Sequence, residues 1–369
     1  EATSSPGELR DVLTAFLLGR GDPPPPRIVR GANLGAWAYA ALPADHPDRA
    51  HHHAEFLAAV ARHLQFRQAI RPLLAAWHDA GIEALLFKGF HLAEFVYPVQ
   101  GTRFHTDADV VIHPGQLRRA AEIAASLGWT GNPDLSGPPL PFRHSAYDVF
   151  HPAGSAKVDV QRYVIHAVAP WTRRQRRLTD AVMARAIRRE WEGTTVLLPH
   201  PVDAALVCLL VHRAWGSEAW GLKPHDLLDL RYLVDREGVT REALEARAKE
   251  LGCRRTLALM LDRCDPWRGR FIPGVPTRSE AWRLDLLTLA EHIPVRVERM
   301  IVSLSALLDV ARALPLVLGA RRAARRERDL HRLLEWASAE PARRAPLSAG
   351  SRRRLTRGIR WAAILVPSR

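Results

Sequence analysis

The first 80 residues carry apolar side chains at the spacing expected of helices. Between Ala54 and Ala80 apolar positions recur every three or four residues, the period of one face of an α-helix. Pro72 lies inside this stretch, and proline interrupts the hydrogen bonding of a helix interior. The pattern predicts an amphipathic helix pair, broken or kinked near Pro72. Its apolar members are Phe56, Leu57, Val60, Leu64, Ile70, Leu73, Leu74 and Trp77.

The pattern changes at Gly81, where short apolar runs alternate with turns and short helical stretches. A strand, a Lys-Gly turn and a helix are predicted first, then a second strand, a Pro-Gly turn and a second helix. Two further strands flank the turn-forming residues 152–155 and predict a β-hairpin. The predicted strands are Ile82–Phe87, Asp107–Ile112, Ala146–Phe150 and Lys157–Tyr163, and the predicted helices are His91–Tyr97 and Gln116–Leu127.

From Trp171 onward helical periodicity dominates, and Thr194–Leu198 carries one of the few strand signals. The predicted helices are Leu206–Arg213, Asp226–Asp235, Arg241–Leu251 and Thr256–Cys264. Beyond residue 320 the chain is rich in arginine. We therefore divide the chain into a helical N-terminal region (1–80), a strand-containing core (81–165), a helical domain (166–320) and a basic helical tail (321–369).

Composition narrows the class of protein. Hydrophobic residues make up 47% and charged residues 25%, which supplies a core and excludes global disorder. No run reaches the ~20 apolar residues of a membrane-spanning helix, so no membrane span is expected. The N-terminal residues lack the profile of a secretory signal. The three cysteines, Cys208, Cys253 and Cys264, support neither a disulfide framework nor a CxxC metal site, so a cytoplasmic location is expected.

The chain is strongly basic. Its 53 Lys and Arg against 39 Asp and Glu give a net charge of +14. Only four of the basic residues are lysines, a bias that weakens the charge as a sign of evolved nucleic-acid affinity. The positive field would still attract polyanions.

Candidate chemistry is concentrated around two aspartates in the second predicted strand. Residues two apart in a strand face the same way, so Asp107 and Asp109 are expected on one surface, with Ala108 and Val110 in the packing. Like charges this close favour a compensating cation, and hard oxygen ligands favour Mg²⁺ or Mn²⁺. Asp159, on the predicted hairpin, is a candidate third ligand.

Three carboxylates on two strands, beside a glycine turn that opens a helix, predict a site for a nucleoside triphosphate and its metal ions. Two ions about 3.5–4 Å apart would activate a nucleophile and stabilise departing pyrophosphate. Backbone N–H groups after Gly89 are candidates to hold phosphate oxygens. Lys88 and Arg103 are candidates to supply positive charge.

These motifs carry a resemblance to a known family. Lys88-Gly89, Tyr97-Pro98, Arg103 and then Asp107 with Asp109 stand in the order and spacing of bacterial nucleotidyltransferases of the uncharacterised type in the DNA polymerase β-like superfamily. More distantly, the stretch is similar to abortive-infection nucleotidyltransferase toxins. The resemblance covers residues 81–165 well and 190–235 loosely. It implies an α/β (α+β) nucleotidyltransferase core with a small mixed sheet, beside a mainly helical N-terminal region and a larger helical C-terminal domain.

The chain departs from the family pattern at three positions. Phe90 follows Gly89 where many members have a second small residue, so the phosphate cradle is expected to be narrower or differently shaped. Gln161 stands where a histidine often follows the third acid, and Ala108 replaces a larger apolar residue. These departures bear on nucleotide choice and catalytic rate.

Each candidate residue also has a purely structural interpretation. Alternating acids on a strand are often only solvated, and Asp159 has the same alternative, with Asp148 as its substitute. Lys223 is a candidate to reach the triphosphate from the helical domain. The neighbouring Asp226 could equally have a structural role, because an acidic side chain is favourable at the positive N-terminal end of a helix.

The sequence thus predicts Mg²⁺- or Mn²⁺-dependent transfer of a nucleoside monophosphate from a triphosphate, with release of pyrophosphate. Asp107, Asp109 and Asp159 are the predicted catalytic and metal-binding residues, and Lys88, Gly89, Arg103 and Lys223 the predicted nucleotide-binding residues. The acceptor stays open among an RNA 3′ end such as that of tRNA, a small molecule, and a peptide or protein. A catalytically silent nucleotide-binding protein is the alternative from a different class.

Overall fold

The computed structural model describes residues 6–131, 145–164, 172–214 and 222–272. The predicted basic tail, and the part of the predicted helical domain beyond residue 272, lie outside these ranges. Eleven α-helices are present in the described part: α1 Pro6–Leu17, α2 Pro26–Gly31, α3 Gly35–Ala41, α4 His53–Asp79, α5 Lys88–Phe95, α6 Leu117–Ser126, α7 Thr172–Met183, α8 Pro201–Ala214, α9 Pro224–Glu237, α10 Arg241–Glu250 and α11 Arg254–Leu261. Short 3₁₀ helices span Arg49–His52 and Pro114–Gln116.

Seven strands of the described chain form one mixed sheet in the order β3-β4-β5-β2-β1-β7-β6. The β2–β5 and β1–β7 pairs are parallel, and the other pairs are antiparallel. The strands are β1 Ala84–Phe87, β2 Ala108–Ile112, β3 Thr130–Gly131, β4 Ser145–Phe150, β5 Lys157–Gln161, β6 Ile187–Trp191 and β7 Thr194–Leu198, with a separate pair, β8 Cys264–Asp265 and β9 Arg270–Phe271. The predicted fold class, a mixed-sheet α/β core with helical flanks, is confirmed.

The sheet extends beyond the predicted core. Strands β6 and β7 pair with each other, and β7 joins the edge of β1 through Leu85 and Leu197. Both strands lie within the range predicted to be helical domain. The parallel contact joins residues more than 100 positions apart, which a local pattern does not reveal. The division into four parts stays a prediction.

Alternating side chains place one hydrophobic cluster on each face of the sheet. Leu86 and Val110 pack with α4 and α6, including Trp77 and Ala120. Phe87 and Val111, which point the other way, pack with α1, α3, α8 and α9. This alternation fixes the face on which each residue of β1 and β2 lies.

The predicted division of this stretch into two helices is wrong, because α4 is one helix of 27 residues with Pro72 inside it. Pro72 lacks the N–H that a helix interior requires. Buried residues on both sides of it, among them Ile70, Leu73 and Trp77, pack against the sheet and hold the helix in one piece. The Trp77 indole N–H also donates to the Ala120 carbonyl at 3.0 Å. Tertiary packing therefore outweighs the local cost of the proline.

Within the described ranges, no helix is long and apolar enough to cross a membrane.

Candidate active site

The strand register brings the predicted acids together. Asp109 on β2 lies directly opposite Asp159 on the parallel strand β5. Asp107 precedes β2 by one residue and shares the side of Asp109, while Ala108 and Val110 are buried on the other face. The predicted alternation is thus confirmed, and the acids lie on the sheet face that packs with α8 and α9. We call Asp107, Asp109 and Asp159 the acid cluster.

A fourth carboxylate borders the acid cluster. Asp148 on β4 lies opposite Asp159 in the antiparallel β4–β5 pair. Lys157 lies beside it, with its ammonium 3.2 Å from Asp148 and 3.6 Å from Asp107. Asp148 therefore remains the alternative to Asp159 as the third acid, as the sequence suggested. Its side chain is more exposed than that of Asp159.

Burial and like charge oppose ionisation in the acid cluster. Burial raises the pKa of Asp107, and the neighbouring Asp109 raises it further, against the opposing effect of Lys157. Burial also raises the pKa of Asp109, where Lys88 opposes the shift and Asp159 adds to it. Carboxylates held together in this way are stabilised by a cation between or beside them.

Lys88 and Gln161 both contact Asp109 inside the acid cluster. The Lys88 ammonium lies 3.3 Å from Asp109 Oδ1 and 3.4 Å from Gln161 Oε1. The Gln161 amide donates to Asp159 Oδ2 at 3.0 Å and also to Asp109. Gln161, which the sequence marked only as a departure, thus bridges two of the three acids.

Gly89 and Arg103 lie against each other at the start of α5. A Cβ added to Gly89 would stand 3.2 Å from His105 Cβ and 3.3 Å from Arg103 Nη1. Glycine therefore allows the loop that carries Arg103 and His105 to lie close to the start of α5. Arg103 makes a bidentate contact with Asp229 of α9, with Nε–Oδ1 at 3.1 Å and Nη2–Oδ2 at 2.7 Å. The Arg103 guanidinium therefore connects α9 to the loop before β2. The sequence did not predict Asp229 as the partner of Arg103.

Lys223 stands at the start of α9, outside the acid cluster. Its backbone N–H donates to Asp226 Oδ2 at 2.6 Å, and its side chain is exposed. This geometry agrees with the structural interpretation of Asp226 at the helix N-terminus. Lys223 is linked to the site only through α9, which carries Asp229.

Phe90 points away from the acid cluster. Its side chain is fully buried on the opposite face of the sheet, in contact with the rings of His63, Phe66 and Trp191. The next residue after Gly89 thus belongs to the hydrophobic core rather than to the site. Helical phase explains the difference, because neighbouring helix residues point about 100° apart.

Sequence reasoning missed a buried polar network on that same face. Glu94 of α5 accepts hydrogen bonds from the Trp191 indole at 2.8 Å and contacts His63 Nε2 at 2.8 Å. His63 Nδ1 contacts His105 Nε2 at 2.9 Å, and Arg67 lies 3.3 Å from Glu94. We call Glu94, His63, His105, Trp191 and Arg67 the histidine network. His105 lies two residues before Asp107, so this network anchors the loop that leads into the acid cluster.

The acid cluster fits a divalent cation in the chemistry of its donors. The candidate ligands are hard carboxylate oxygens on adjacent strands, and burial together with their mutual repulsion raises the pKa of Asp107 and Asp109. In the part of the chain that is described, no three His, Cys, Asp or Glu side chains stand ready as a metal-binding group. Asp109 instead faces Lys88 and Gln161.

The fold and the site define a protein of the nucleotidyltransferase class. The family model described as "Uncharacterised nucleotidyltransferase" matches residues 34–269, and the chain belongs to this family. Membership assigns the protein to the transferases. The resemblance inferred from the Lys-Gly and Asp-x-Asp motifs is confirmed.

Other comparisons add little detail. A search of curated proteins finds no match. Among solved structures, the crystal structure of the Megavirus polyadenylate synthase is similar over 71% of this chain and 46% of its own, with 10% identity and a TM-score of 0.29. The chain therefore spans less than half of that protein.

Proposed function

We propose that the protein transfers a nucleoside monophosphate from a nucleoside triphosphate to an acceptor, with a divalent metal as cofactor, and releases pyrophosphate. The observation that carries the proposal is the register of Asp109 with Asp159 on adjacent parallel strands, with Asp107 on the same side. Repelling carboxylates beside a half-buried lysine suit metal and phosphate chemistry better than fold stability.

Each residue of the site has a proposed role. Asp107 and Asp109 hold Mg²⁺ or Mn²⁺, and Asp159 completes the ligand set. Bound ions would polarise the α-phosphate and neutralise the departing pyrophosphate. Lys88 and the N–H groups of the first turn of α5, after Gly89, bind the triphosphate, and Lys223 approaches it from α9. Arg103, through Asp229, positions α9 beside the site.

The chemical step is a displacement at the α-phosphorus. An acceptor oxygen forms the new bond to this phosphorus while the bond to the bridging α–β oxygen breaks, so pyrophosphate leaves. Asp159 takes the proton from the acceptor hydroxyl as general base. Its place opposite Asp109 puts it next to the proposed metal ligands.

The strongly positive charge of the chain favours an RNA 3′ end as the acceptor. The net charge of +14 would attract a polyanion. Binding of such an acceptor should weaken steeply as salt rises, because phosphate contacts release counterions. Salt-insensitive binding would instead favour a small-molecule or peptide acceptor.

The test is label transfer. Each α-³²P-labelled triphosphate is incubated with Mg²⁺ or Mn²⁺ and with the RNA, protein and small-molecule fractions of a cell extract. The proposal predicts label in one fraction, equimolar pyrophosphate, and no transfer of label from the γ-position. The matched control is the Asp107→Asn variant, which removes a charge at almost constant volume. Triphosphate binding without transfer to any fraction would support the silent alternative.

A further inference from the structure

We propose that Lys88 is an internal counter-ion of the acid cluster, which a dication must displace from Asp109, so that tight metal binding requires the triphosphate. The inference rests on the proposed function and adds a binding order to it. In this order the metal ion enters together with the nucleotide, because the displaced ammonium then has a phosphate to bind.

The backbone conformation and the surroundings of Lys88 direct its side chain toward the acid cluster. Its backbone φ is +56°, in the left-handed region that side chains other than glycine rarely adopt. It directly follows β1, whose last residue, Phe87, lies opposite Asp109. The side chain is only 14% exposed and lies over the Phe87 ring at 4.6 Å, with its ammonium directed to Asp109. The local backbone thus directs this charge into the acid cluster.

Gln161 helps to hold the lysine there. Its Oε1 accepts from the Lys88 ammonium, and its amide nitrogen donates to Asp109 and Asp159. One carboxylate oxygen of Asp109 and one of Asp159 are therefore engaged by the ammonium of Lys88 or the amide of Gln161.

Charge makes the two cations competitors. An ammonium 3.3 Å from Asp109 Oδ1 repels a dication at the same carboxylate and must move before the metal binds tightly. Lysine has four rotatable side-chain bonds and readily binds phosphate as a point charge. A triphosphate therefore lowers the cost of releasing Lys88, and it also brings ligands of its own for the metal.

The experiment measures Mn²⁺ binding directly, by electron paramagnetic resonance of the free ion, in nucleotide-free protein. Lys88→Met removes the charge at similar length and should bind Mn²⁺ at least ~10-fold more tightly than wild type. Lys88→Arg restores a cation and should bind about as weakly as wild type. Lys249→Met, on the exposed side of α10, is the matched control and should leave Mn²⁺ affinity unchanged.

A second titration adds a non-hydrolysable triphosphate analogue. Wild type should then gain at least ~10-fold in Mn²⁺ affinity, and Lys88→Met should gain less because its site is already open. Circular dichroism and thermal unfolding verify that each variant is folded.

A folded Lys88→Met that binds Mn²⁺ no better than wild type without nucleotide would overturn the inference, and so would the absence of binding in both proteins. The proposed function would survive either result if wild type binds Mn²⁺ with the analogue. Failure of wild type to bind Mn²⁺ even with the analogue would count against both.

Discussion

Two polar clusters flank the sheet near α5, and they differ in how their charges are balanced. In the histidine network every carboxylate oxygen of Glu94 has a donor, from Trp191, His63 or Arg67. In the acid cluster like charges face each other, and burial raises the pKa of Asp107 and Asp109. A buried network with complementary partners stabilises a fold, whereas repelling groups persist where a ligand compensates them. We therefore expect the histidine network to stabilise the fold and the acid cluster to serve the proposed function.

The largest expected effect is on turnover, and it should distinguish Asp159 from Asp148. These two residues lie opposite each other on β5 and β4. Asp159→Asn should lower turnover by about 10²–10⁴-fold, because it removes the proposed base and a metal ligand. Asp148→Asn, the matched change at the more exposed carboxylate, should retain turnover within about fivefold, because Asp148 serves neither role. The measurement is pyrophosphate release with the identified acceptor. The reverse ranking would make Asp148 the third acid.

Glu94→Leu should give the largest loss of stability. It leaves the buried His63 and Trp191 side chains without their shared acceptor, and each buried group left unsatisfied costs about 1–3 kcal/mol. Chemical denaturation measures the free energy of unfolding, and Glu94→Gln should lose less because it retains hydrogen-bonding atoms. A change below about 1 kcal/mol in Glu94→Leu would show that the network contributes little to the fold.

Gly101→Ala should cost about 1–3 kcal/mol. Its φ is +79°, and an added Cβ would stand 2.8 Å from His63 Cβ, so it would press on the histidine network. Gly154 also has a positive φ, +67°, but an added Cβ there meets nothing within 4 Å. Gly154→Ala is therefore the matched control for backbone strain alone. Equal losses in the two variants would exclude a contribution from the contact with His63.

His91 on α5 should make the stability of the fold depend on pH. Burial, with a contribution from Arg189, lowers its pKa from 6.5 to about 3, so the folded state holds it neutral while the unfolded state binds a proton below pH 6.5. Its contribution to stability is therefore full above pH 6.5 and is lost as pH falls toward 3, with a limiting slope of about 1.4 kcal/mol per pH unit. His91→Leu should show a flatter decline between pH 6.5 and 4 in denaturation experiments. Parallel curves would contradict a neutral buried His91.

Local patterns were sufficient to predict β1, β2, β4, β5 and β7 and the face on which the acids lie, but they did not predict β3, β6, β8 or β9. Alternation in β2 and β5 put Asp107, Asp109 and Asp159 on one side, and the Lys-Gly turn marked the start of α5. The same reasoning failed where distant residues meet. Arg103 and Asp229 are 126 positions apart, His63 and His105 are 42 apart, and β7 joins β1 across more than 100 residues. A buried histidine or glutamate in a helix has no local signature that separates it from a solvated one.

The most direct test measures activity and stability together in Asp109→Asn. If the acid cluster serves function, the variant should lose pyrophosphate release by at least about 10³-fold while its metal-free unfolding free energy stays within about 1 kcal/mol of wild type or rises. Retained turnover, or a loss of stability as large as that of Glu94→Leu, would contradict the assignment and make Asp109 a structural partner of Lys88.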